Sequence, residues 1–139
     1  MDGNRRLAED HGRAIATKVV PVLIAAVLLV VGLSALAIPE LLATGFGIPI
    51  GTPASRAYVI AAGTRDIAMG CWLLALVWLR ASSRALAAST FAMALVALGD
   101  AANVYAHSGM RVTLVGHMGS ALVLLSVGAW LWGRKEGRG

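Results

Sequence analysis

Four unbroken apolar stretches, each near the length needed to cross a bilayer, constrain this chain more than any other feature. The first runs from Val19 to Ile38 and is stopped by Pro39 and Glu40. The second opens at Thr52-Pro53, an N-cap followed by proline at the first helical position, and its apolar part runs from Ala57 to Leu79. The third, entered through Ser82 and Ser83, runs from Ala85 to His107; the fourth runs from Val112 to Gly133. About 20 residues at 1.5 Å each cover the hydrocarbon core of a bilayer. Helices satisfy their backbone polar groups there, whereas a strand would need a period-two alternation that is absent. The chain has 139 residues, 58% of them hydrophobic, against about 45–50% in soluble domains. The expected fold is all-α, a four-helix transmembrane bundle over residues 19–133. An N-terminal tail (1–18) precedes it and a basic C-terminal tail (134–139) follows.

Charge placement orients the bundle. The formal net charge of +5 would suit nucleic acid, but the basic residues sit at the edges of the apolar stretches, so no nucleic-acid partner is expected. With the N-terminus inside, the cytoplasmic face collects Arg5, Arg6, Arg13, Lys18, Arg80, Arg84, Arg134, Lys135 and Arg138. The outer face receives Arg56 and Arg111. This is the positive-inside asymmetry, and Trp78, Trp130 and Trp132 gather on the inner side as an aromatic belt would. N-in, C-in in a bacterial cytoplasmic membrane is therefore expected. A signal-peptide reading of the first stretch, with Ala35-Leu36-Ala37 as cleavage site, is disfavoured because the apolar core exceeds the usual 7–15 residues. Cys71 is the single cysteine, which excludes an intramolecular disulfide and a cysteine-based metal site.

The segment from Glu40 to Thr52 reads as a loop too apolar for water, with Leu41, Leu42, Phe46, Ile48 and Ile50 among glycines. It is expected to fold back onto the outer mouth of the bundle, as a tucked connection or as a lid over a cavity.

Arg65, Asp66, Asp100 and His117 lie within the spans. A charge near the bilayer centre costs about 2.5–3.5 kcal/mol, so the second helix is marginal alone and needs partners in the bundle. Counted from the outer ends, Arg65, Asp100 and His117 lie about 12, 10 and 8 Å deep, which places them in one layer of the outer third. Asp100, Asn103 and His107 form one stripe on the third helix; Thr113, His117 and Ser120 form one on the fourth. Tyr58 and Arg65 stand seven apart on the second. Flanking small residues (Ala62, Gly63 and Gly70; Gly99; Gly116, Gly119 and Ser120) are expected to let the helices approach closely. The first helix, which offers only Ser34, reads as a packing wall. No metal and no cofactor is expected, since nothing matches the inward Glu-x-x-His pattern of bundle metal sites.

At these residues the chain resembles a family of small bacterial and fungal four-helix membrane proteins of unknown function. The shared pattern is Phe46-Gly47-x-Pro49, Gly63-x-Arg65-Asp66, Gly99-Asp100 and His117-x-Gly119, within Val20 to Trp132. More distantly it resembles oxidase-subunit-like four-helix membrane proteins with quinone-linked roles. Neither resemblance supplies an activity.

Two functional readings stand at this level. In the first, the layer is a pocket that binds, or performs acid–base chemistry on, a lipophilic small molecule entering from the bilayer. Asp66, Asp100, Arg65 and His117 would be the reactive groups; Asn103, Tyr58, His107, Ser120 and Phe46 would hold the ligand. The arrangement resembles the Asp-Arg-Asp set of limonene-type epoxide hydrolases, where one acid donates a proton and a carboxylate activates water; cyclisation and isomerisation need the same groups. In the second, the chain is a non-catalytic subunit, transport or assembly component. Its charge layer then fixes helix register or binds a partner, a second copy of the chain included.

Overall fold

Each apolar stretch forms a helix. The computed structural model describes residues 2–46, 51–108 and 112–134. Among them are α1 (Asp2–Ala37), α2 (Pro39–Phe46), α3 (Pro53–Trp78), α4 (Ser83–Ser108) and α5 (Val112–Trp132), with no strand. Spans long and apolar enough to cross a membrane lie at Ile15–Ala37, Pro53–Trp78, Ser83–Ala106 and Leu114–Trp132. Only 22–33% of each apolar window is buried inside the protein, so most of it faces outward; Leu95, Val115 and Leu122 are exposed this way. A surface of that kind is stable against lipid, and the chain is a multi-pass membrane protein built on four long helices.

Local chemistry sets the helix ends. Thr52 sits in extended backbone and closes a capping box with Ser55. Its Oγ1 accepts from the Ser55 N–H at 3.2 Å, and Ser55 Oγ accepts from the Thr52 N–H at 3.1 Å. Ser82 Oγ accepts from the Ala85 N–H at 3.1 Å and caps α4. At the end of α3, Arg80 adopts φ 54°, Ala81 N–H donates to the Leu76 carbonyl, and Arg80 N–H donates to that of Val77. This is a Schellman turn with arginine in the left-handed position usually given to glycine.

One expectation needs correction. The first part of the segment from Glu40 to Thr52 is a helix, α2, with Pro39 buried at its first position and the exposed Glu40 bound to Arg56 at 3.1 Å. Proline lacks the N–H that an N1 residue does not need, so the residue that stops α1 also starts α2. Gly47–Ile50 lie outside the described residues. The N-terminal tail is helical as well: α1 runs unbroken from Asp2, with the buried Pro21 inside it.

The helices pack as two antiparallel pairs. α1 lies along α3 and α4 along α5, whereas α3 meets α4 at few points and α1 barely meets α5. Backbones in the first pair nearly touch. A Cβ on Gly63 would stand 2.6 Å from Ala35 Cβ and 2.8 Å from the Gly32 carbonyl; one on Gly70 would stand 3.0 Å from that of Ala25. The first helix is therefore the closest partner of α3, and it achieves this with Ala25, Gly32 and Ala35. In the second pair the Phe91 ring lies over Gly128, where a Cβ would be 2.6 Å from it. The larger apolar core, around Leu73, Leu86, Met93, Leu124 and Leu131, joins the two pairs toward the ends opposite the α1–α2 turn.

Candidate functional site

The polar layer forms where the two pairs face each other. The buried positions of α3 are Val59, Gly63, Asp66, Gly70 and Leu73, a 4-3-4-3 spacing that keeps one seam facing its neighbours. Asp66 thus occupies a core position, while Arg65, one residue back, is turned toward α4. Its Nη1 donates to Asp100 Oδ1 at 3.0 Å and its Nη2 to Asp100 Oδ2 at 2.8 Å. This bidentate fork matches the planar carboxylate. The same guanidinium also reaches Asp66 Oδ1, from Nε at 3.2 Å and from Nη2 at 3.0 Å. Arg65 therefore bridges both carboxylates, with Asp66 only 10% exposed at its side chain and Asp100 21%.

A cavity of about 280 Å³ opens on the side of this bridge toward the α3–α4 turn. One end is polar, formed by Arg65, Asp66, Asp100, His117 and Ser120. The rest is apolar: Val27, Leu28 and Val31 from α1, Met69 from α3, Met93, Val96 and Ala97 from α4, and Leu124 from α5. All four long helices contribute to it. Its size is near the lower end for small-molecule sites.

Tyr58 and Asn103 lie elsewhere. The Asn103 amide donates to Tyr58 Oη at 2.9 Å, and the two line a small separate pocket with Arg65, Asp100 and His117, on the opposite side of the bridge. Four of the nine candidate side chains (Arg65, Asp66, Asp100 and His117) are joined in the main cavity by Ser120. The side chains of His107, Phe46 and Thr113, like Ile48, lie outside those described. The expectation for the glycines is corrected in part. Gly63 and Gly70 do mediate close approach, but Gly99, Gly116 and Gly119 have open space where a Cβ would go. All three are exposed, and of them the cavity lining includes Gly116 alone.

One link escaped the sequence reading. The Trp72 indole N–H donates to Ser89 Oγ at 3.2 Å. With Tyr58–Asn103 and Arg65–Asp100 it completes a ladder of three polar contacts between α3 and α4. Tyr58, Arg65 and Trp72 recur every seven residues, a signal that extending the Tyr58–Arg65 spacing by one step would have found.

Comparison with known proteins gives one match. Residues 25–131 fit the model of a family described as a domain of unknown function, DUF4267. No curated protein and no solved structure matches the chain.

Proposed function

The chain belongs to the DUF4267 family, and we propose that its cavity binds a small lipophilic molecule and presents Asp66, Asp100, Arg65 and His117 to it for acid–base chemistry. The single observation that carries this reading is the cavity of about 280 Å³ with one polar end and an apolar remainder. Such a space orients a molecule that is mostly hydrocarbon with one reactive polar group. The sparse packing between the two helix pairs supports entry from the bilayer. Arg65, held in a fork by Asp100, keeps the two carboxylates in fixed positions, and pre-positioned groups of this kind are what acid–base catalysis requires. Epoxide opening by water, cyclisation and isomerisation are reaction types that a proton donor and a proton acceptor serve. The basic-residue asymmetry supports an orientation with both termini in the cytoplasm.

A second reading has its own observation. Arg65 spends Nε, Nη1 and Nη2 on the two carboxylates, the pattern expected of a register-fixing ion network in a subunit or assembly component.

The test separates them. Gly116 lines the cavity and has open space at its Cβ position, so Gly116→Leu fills the space without touching the charges. Native mass spectrometry of the protein from its own membranes should find a co-purifying small molecule. Gly116→Leu and Asp100→Asn should each lose it while keeping the helical circular dichroism. If both variants retain it, the cavity is not its site and the structural reading stands.

A further inference from the structure

Every charged or titratable group facing the cavity's polar end can be named helix by helix. α3 contributes Arg65 and Asp66, α4 contributes Asp100, and α5 contributes His117; α1 contributes only Val27, Leu28 and Val31. Tyr58, beyond the bridge, is the other titratable group beside it. Two carboxylates face one guanidinium, so the layer carries one net negative charge when the imidazole is neutral. The guanidinium is already committed to both acids, and no second Lys or Arg lines the cavity. Asp66, nine-tenths buried at its side chain, receives both its bonds at Oδ1; Oδ2 accepts none from a described residue.

A net charge enclosed by hydrocarbon is strongly disfavoured unless a counter-charge accompanies it. Resting on the reading of the cavity as a ligand site, we propose that its ligand carries a single positive charge on a small apolar body, as a hydrophobic amine or ammonium ion does, and that this cation and a proton exclude one another. In the empty cavity a proton within the layer supplies the counter-charge. An entering cation makes that proton redundant and one proton leaves, so the charge of the layer is unchanged. The apolar walls from α1, α4 and α5 receive the body of the molecule while its charge lies against Asp66. A hydrated inorganic cation fits poorly, because most of the lining is Val, Leu, Met and Ala.

The experiment uses the full chain in phosphatidylcholine nanodiscs. It compares benzyltrimethylammonium with neopentylbenzene, which has the same shape and no charge. The cation should bind saturably and at least about tenfold more tightly than the neutral isostere, equivalent to one step of 1.4 kcal/mol. Its affinity should rise about tenfold per pH unit where the empty site holds the proton, because each cation displaces one. A weakly buffered titration should register that proton. Asp66→Asn should remove the preference for the cation over neopentylbenzene. Equal binding of the two probes with no pH dependence would overturn the charge inference and leave the cavity reading intact. Binding of neither probe would overturn both. Should Asp66→Asn fail to fold, the pH series on the unaltered protein decides alone.

Discussion

Arg65 makes four hydrogen bonds to two carboxylates on two helices, and its energetic role follows from what it leaves behind when removed. Arg65→Ala strands two carboxylates in a low-dielectric layer, and breaking a buried pair from one side costs about 3–5 kcal/mol. Arg65→Ala with Asp100→Asn should recover part of that loss, because an amide does not need a counter-charge. Denaturant titration in detergent checks the cycle; strictly additive losses would mean that the residues do not act on one another. Matched depth already brought Arg65 and Asp100 to one layer in the sequence. What it left open was whether Arg65 pairs with Asp66 or with Asp100. The structure gives both, since the guanidinium has enough donors, on a long enough stem, to fold back to its neighbour while reaching across to α4.

Small residues behave differently from one helix to another. At Gly63 an added methyl meets Ala35 Cβ and the Gly32 backbone, and backbone cannot yield as a flexible side chain does. Gly63→Ala should therefore cost about 1–3 kcal/mol, as overpacking does. At Gly119 the same change meets open space, and alanine favours a helix over glycine by up to about 1 kcal/mol. Gly119→Ala should leave stability unchanged or raise it. Thermal unfolding of the two variants side by side is the measurement, and an equal loss in both would refute the division into tight and open seams. Composition marks both positions alike, because it registers side-chain size and not the distance to the next helix.

At the scale of the whole molecule, two tightly packed pairs are joined by an apolar core at one end and a ladder of three polar contacts along α3 and α4. The cavity lies between the two pairs, which meet at far fewer points than the helices within each pair do. Which side of the membrane its polar end lies nearer is a question of orientation. A cysteine placed at Gly51 in a Cys71→Ser background should react with an impermeant thiol reagent added to intact cells; a cysteine at Ser82 should not. The opposite pattern would reverse the bundle and put the polar layer near the cytoplasm.

The number of spans, their limits within a few residues, the Thr52 and Ser82 caps and the membrane setting were legible from the chain alone. Each depends on local quantities: twenty apolar residues in a row, a hydroxyl before a helix, and backbone groups that only a helix satisfies in lipid. Even the shared depth of Arg65, Asp100 and His117 is a count along each helix. Tertiary structure decided the rest. It paired α1 with α3, chose Gly63 and Gly70 over Gly99, Gly116 and Gly119 for close approach, turned part of the apolar loop into α2, and divided the polar residues between two sides of the Arg65 bridge. These outcomes depend on rotation and separation of helices about their axes. Those are set by side chains far apart in sequence that meet only when the bundle closes, and no single stretch of the chain contains them.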